Sequence, residues 1–208
     1  MFSPEQLAAI IAATSFAAGL NVYATVGTLG ILSRVHVVQL PGSLHIVQSW
    51  PVIVIALAMF VIEFFADKIP AFDLIWNALH TFVRVPIAAL LAYGASANLS
   101  PEAQLLATVV GGVIALAAHG GKTAARAAVT PSPEPFSNIA LSMGEDVVAV
   151  GLTWVATAHP YLAALAVFIL LFITILMARW IWRALRRLFR GAQRQMEAAD
   201  AHRHHTSA

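Results

Sequence analysis

Long apolar runs separated by short polar turns dominate the chain, and their lengths decide the fold class. A helix needs about 20 apolar residues to cross a bilayer, and six runs approach that length. The first extends from Glu5 to Leu32, with Pro4 in a helix-start position and Arg34 closing it, and is longer than one crossing needs. Ile46 to Ala66 forms the second, Thr81 to Ala97 the third, and Ala103 to Gly120 the fourth. Phe136 to Ala158 and Tyr161 to Ile181 complete the set. Between the second and third runs, Phe72, Ile75, Trp76 and Leu79 recur at i, i+3, i+4 and i+7, with Asp73, Asn77 and His80 on the other side. That spacing predicts an amphipathic helix lying at the membrane interface. Asn98-Leu99-Ser100-Pro101, Val129 to Pro135 and His159-Pro160 supply the turns. The expected fold is all-α: a polytopic transmembrane helical bundle of about six spans plus an interfacial helix. Residues 1–190 would form one transmembrane domain, and 191–208 a disordered cytoplasmic tail.

Composition agrees with this pattern. Charged residues make up 11% of the chain and hydrophobic ones 60%, against about 25% charged in a soluble domain. Mean hydropathy is +0.80. The net charge of +2 comes from basic residues that flank the apolar runs and do not gather into a groove-reading domain, so no nucleic-acid partner is expected. No cysteine occurs, which excludes disulfides, thiolate metal sites and cysteine nucleophiles. Met1 to Glu5 lacks the positive stretch that opens a secretory signal, so the first run is expected to remain in the mature protein. Gly121-Lys122-Thr123 imitates the end of a phosphate-binding loop, but the earlier glycine that loop requires would fall at Leu116.

Charge placement carries the functional information. Glu63 follows an uncharged stretch from Pro51 to Ile62, and Asp67-Lys68 closes the same run. Ionisable groups at such positions are costly in a bilayer and mark ion paths, proton relays or substrate sites. With six spans, both termini share one side with Lys68, Arg84, Lys122, Arg126 and the arginines from Arg179 to Arg190; the positive-inside rule makes that side cytoplasmic. Glu63, Asp67, Glu145 and Asp146 would then meet in the cytoplasmic half as ligands for a cation, a divalent one included, or as proton carriers. Adjacent Glu145 and Asp146 repel unless a cation or proton neutralises one of them. Asn21, Lys68, His80, Arg84, His119, Lys122, Arg126, Asn138 and Ser142 would line the substrate or ion path. A purely structural reading of the same residues pairs Glu63 with Lys122 and Asp146 with Arg126 to lock helices together. The carboxylate pairs in runs two and five, with Ala17-Ala18-Gly19-Leu20-Asn21 against Ala117-Ala118-His119-Gly120-Gly121, suggest an inverted three-plus-three repeat.

Gly-Leu-x-x-Tyr in the first run, Glu63-x-x-x-Asp67-Lys68-Ile69-Pro70, His119 to Arg126 and Ser142-x-x-Glu145-Asp146 together resemble a bacterial membrane family catalogued as domain of unknown function 4126. The resemblance covers Leu7 to Leu171 and implies a multi-pass protein of the bacterial inner membrane, without naming an activity. A fainter likeness is to cation exchangers with paired Glu-x-Gly-Asp motifs; here Glu63 and Asp67 lie one residue further apart, and Ala66 stands where the glycine would be. These features lead to the expectation of a small transporter or channel for a cation or protons, forming a homo-oligomer in the lipid bilayer. A membrane-embedded enzyme or lipid-handling protein that grips an anionic head group, and a structural or assembly protein, are the alternatives.

Overall fold

Five of the helices begin at a proline, which lacks the N–H that a first helical turn leaves unpaired anyway. The computed structural model describes residues 2–129 and 135–206; the side chains at 42, 70–74, 127–129, 135, 137, 138, 185, 188, 189 and 191–206 fall outside that description. The expected connector from Val129 to Pro135 lies mostly outside the described residues as well. Among the described residues are seven α-helices, one 3-10 segment and no strand. They are α1 (Pro4–Leu20), α2 (Val22–Arg34), the 3-10 segment Gly42–Gln48, α3 (Trp50–Ala66), α4 (Pro70–Ala95), α5 (Pro101–Val129), α6 (Pro135–Ala158) and α7 (Pro160–Thr206). Within the segment expected as a disordered tail, the backbone of residues 191–206 continues the last helix.

Among the described residues, four stretches are long and apolar enough to cross a membrane: Ile75–Ala95, Pro101–Arg126, Ile139–Ala158 and Pro160–Ala184. The apolar helix Trp50–Ala66 is shorter. Large apolar side chains such as Ile55, Phe65, Phe82, Leu105, Val147 and Phe168 point outward. An apolar exterior of this kind suits lipid. The protein is therefore a membrane-spanning, all-helical bundle.

The central post is α1, which packs against α4, α5, α6 and α7. Small residues make that crowding possible: Ala13, Ala17, Ala18, Ala88, Ala115 and Ala149 are all fully buried. A Cβ at Gly19 would lie only 2.8 Å from Cα of Ala115 and Cβ of Ala118, so α1 and α5 are in near backbone contact there. Lipid tails are as apolar as leucine, so close packing of this kind supplies much of the cohesion between membrane helices.

The expected single crossing from Glu5 to Leu32 is instead two helices. Asn21, with φ −148° and ψ 103°, ends α1 and starts α2. From there α2 doubles back along α1: Leu29 lines the same crevice as Leu7, Ile10 and Thr14, together with Ala95 and Thr157 at the ends of α4 and α6. The outer end of this hairpin is tied to α3 by Arg34, whose guanidinium lies 4.3 Å from the Trp50 ring and donates to the Gln48 carbonyl at 3.2 Å. A straight helix over those residues would reach about 42 Å, well beyond the ~30 Å hydrocarbon core. Folding back resolves the excess.

Three further expectations change with it. The proposed repeat matches the first run with the fourth, yet the first is a hairpin and α5 is one unbroken helix. Both termini were expected on one side; the hairpin places the N-terminus at the bundle end opposite the arginine-rich end of α7. The helix expected to lie separately at the interface is the start of α4, which continues from Pro70 to Ala95 with Pro86 inside it. Polar Asn77, His80 and Arg84, which suggested a boundary at Thr81, are buried against partners and leave the helix no reason to end.

Candidate functional site

The tip of the hairpin sits at the heart of the charged residues. Asn21 is fully buried and completes both helix ends. Its Oδ1 accepts from the Ala24 N–H at 2.9 Å, capping α2, while its Nδ2 donates to Oδ1 of Asp146 at 2.8 Å. The α1 side of the break is met by Lys122, whose Nζ donates to the Leu20 carbonyl at 3.2 Å. Each helix end thus faces the charge its dipole favours: an ammonium at the carbonyl end of α1, a carboxylate at the N–H end of α2.

Around this tip runs a buried ionic network. Lys122 contacts Glu63 at 3.4 Å, Asp67 at 3.2 Å and Glu145 at 3.3 Å, so one ammonium from α5 bridges acids from α3 and α6. Arg126, one turn further on, binds Asp67 at 2.7 Å and Glu145 at 2.6 Å, and donates to the Asp67 carbonyl at 3.3 Å. Arg84 from α4 pairs with Glu63, and both are fully buried. Ser142 Oγ reaches Asp67 Oδ2 at 3.5 Å. Asp67 closes α3 just past its apolar stretch. Burial would raise its carboxyl, but Lys122, Arg126 and Arg84 outweigh burial and hold it below its ordinary value.

Two histidines extend the network along α4. Arg84 can only donate, so its 2.8 Å contact makes Nδ1 of His119 an acceptor. His119 Nε2 then carries the hydrogen, facing Thr81 Oγ1 at 2.8 Å and the Asn77 carbonyl at 3.1 Å. His80 holds the opposite tautomer: Nδ1 donates to the Trp76 carbonyl at 2.8 Å, and Nε2 accepts from the Tyr23 hydroxyl at 3.0 Å. Trp76 stacks on the His80 ring with centroids 4.1 Å apart.

Most residues singled out from the sequence therefore meet. Glu63, Asp67, Arg84, His119, Lys122, Arg126, Ser142, Glu145, Asp146 and Asn21 share one network, with His80 beside it through Tyr23. Glu63 pairs with Lys122 as expected. Arg126 turns to Asp67 and Glu145, whereas Asp146 takes Asn21. Lys68 stands off: its Nζ donates to the Phe64 carbonyl at 2.7 Å and lies 3.0 Å from the centroid of that ring. Asn138 lies on α6, its side chain outside the described set.

Reading the sequence for charge overlooked Asn77, Thr81 and the Leu20 carbonyl. Asn77 and Arg84 are seven apart on one helix face, a spacing that signals their pairing at 3.2 Å. Nothing in the sequence marks a main-chain carbonyl. As for metal binding, no group of three or more His, Asp or Glu among the described residues is placed to hold an ion. Glu63, Asp67 and Glu145 face Lys122, Arg126 and Arg84, and these cations occupy the space between them.

A lipid-facing helical bundle with an ionic network at its centre defines a polytopic integral membrane protein. The chain belongs to the family described as Domain of unknown function (DUF4126), whose profile matches residues 8–180. No curated protein and no solved structure matches it.

Proposed function

We propose that this protein is a small membrane transporter or channel that moves a cation, protons included, past the tip of the α1–α2 hairpin. One observation carries the proposal: a helix broken inside the bundle at Asn21, with both of its ends facing buried ionisable side chains. Discontinuous helices of this kind serve ion sites in transporters, because the break frees helix ends to meet charge without lipid contact. Buried ion pairs are poor stabilisers compared with apolar packing of the same volume, so a network of this size favours a role beyond holding helices together. In this reading α3 to α7 cross the bilayer, with the hairpin entering it from the opposite face. The positive-inside rule puts Lys68, Lys122, Arg126 and the α7 arginines at the cytoplasmic face of a bacterial inner membrane, with the N-terminus on the other side. The site then belongs to the cytoplasmic half.

Ion flux in liposomes tests the reading. Parent protein is expected to dissipate an imposed proton or cation gradient, and Glu63→Gln to lose most of that flux while remaining folded. Equal flux from parent, variant and empty liposomes would reject transport.

A further inference from the structure

The network does not treat its four acids alike. Glu63, Asp67 and Glu145 each contact at least one of Arg84, Lys122 and Arg126. Among the described residues Asp146 makes no ion pair, and its one hydrogen-bond partner is the neutral amide of Asn21. The residue is only 7% exposed, and its second oxygen, Oδ2, is buried with no partner among the described residues. Glu63 Oε2 and Asp67 Oδ1 are also unpartnered, but in both residues the other oxygen is held by a cation.

We infer that Asp146 is a proton-binding site, loaded on Oδ2, and that the ion handled at the hairpin tip is the proton. This rests on the transport reading for its purpose but not for its chemistry. The transfer is simple: a hydronium gives its proton to Oδ2, water leaves, and the carboxylate becomes a neutral acid. Oδ1 keeps the Asn21 hydrogen bond in either state, so loading needs no rearrangement of the tip.

The surroundings match a group that changes charge in place. On α5, Lys122 and Arg126 face the site but are held by the other acids; on α3 and just beyond it stand Glu63, Asp67 and Lys68. Lys68 has its ammonium fixed on Phe64. Next on α6 is Glu145, paired with Arg126 and Lys122. The hairpin offers Asn21 and Tyr23, and α4 offers His80 and Arg84, the latter held by Glu63. Residues 160–178 of α7 contain no charge. A metal ion would need several oxygens at once, and the neighbouring carboxylates are turned to Lys122 and Arg126. A proton needs one.

Infrared difference spectra of the purified full-length chain, recorded across a pH titration, read the carbonyl stretch of a protonated carboxyl directly. The expected result is a titrating carboxyl band that is lost in Asp146→Asn, a near-isosteric change that retains an acceptor for Asn21, and kept in Glu145→Gln. Asn21→Ser should shift its midpoint, because that change removes the donor to Oδ1. A band that survives in Asp146→Asn, or no titrating band in the parent, overturns the inference. So does stabilisation by sodium or potassium at fixed pH that disappears in Asp146→Asn. If the band behaves as expected while liposomes with parent protein carry no flux, the proton site stands and the transport reading falls.

Discussion

Asn21 donates to Asp146 across 2.8 Å while its own Oδ1 caps α2, so one amide joins the hairpin tip to α6. Neither bond is replaceable by water at a position with no exposed surface.

Substitution at Asn21 should separate the two roles. Asn21→Ala removes the cap, at about 1 kcal/mol, and strips Asp146 of its donor, at about 1–3 kcal/mol. Asn21→Ser retains the cap alone. Thermal unfolding in detergent should rank parent above Asn21→Ser and Asn21→Ala lowest; equal midpoints for the two variants would show that the cap contributes nothing, and an Asn21→Ser midpoint equal to the parent's that the Asp146 bond contributes nothing.

Lys122 touches three carboxylates and a main-chain carbonyl. Removing one partner of a buried ionic group costs about 3–5 kcal/mol, because charge is left uncompensated. Lys122→Met should be destabilised on that scale, and adding Glu145→Gln to it should restore part of the loss. An additive double variant would mean that the two residues are energetically independent.

Two glycines make a matched test of helix approach. A Cβ at Gly19 would strike the backbone of Ala115, whereas nothing lies within 4 Å of a Cβ at Gly144. Gly19→Ala should cost about 1–3 kcal/mol through overpacking. Gly144→Ala should be neutral or stabilising by up to about 1 kcal/mol, from helix propensity. Denaturation midpoints of the two variants check this directly.

Acid should weaken the protein partly through Asp67. Its carboxyl is held below the ordinary 3.8 in the folded chain, so the unfolded chain binds its proton first as pH falls. The stabilisation is therefore complete above that ordinary value and is lost as pH drops through the lower folded one. Melting temperatures of the parent should fall between pH 5 and 3 (about one unit either side of a free carboxyl) more steeply than those of Asp67→Asn. Parallel curves would remove Asp67 from the account.

The proposed topology also makes a prediction about sidedness. Because the chain has no cysteine, single cysteines at Ser3 and Arg190 can be labelled unambiguously with a membrane-impermeant thiol reagent. The two should react from opposite sides of a sealed vesicle; labelling from the same side would restore a single crossing for the first run.

The class of fold was readable because apolar run length is a direct consequence of bilayer thickness. The members of the ionic network were readable too, since Glu63, Lys122 and the Glu145-Asp146 pair stand out in apolar surroundings. The hairpin was visible only as surplus length. Glu5 to Leu32 has no proline inside it, and its one reversal is made by Asn21, an amide that reads equally well as a polar contact on a straight helix. Partner choice was less legible still. Glu145 and Asp146 are adjacent, yet a 100° step around α6 gives one Arg126 and the other Asn21, a distinction that depends on how α5 and α1 approach.

The enclosure of α1 has a consequence for synthesis. The helix is made before α4 to α7, which pack against it. Until then Asn21 has no Asp146 and the Leu20 carbonyl no Lys122. The polar groups of the hairpin tip therefore gain their partners only when α5 and α6 have been made and have packed against α1.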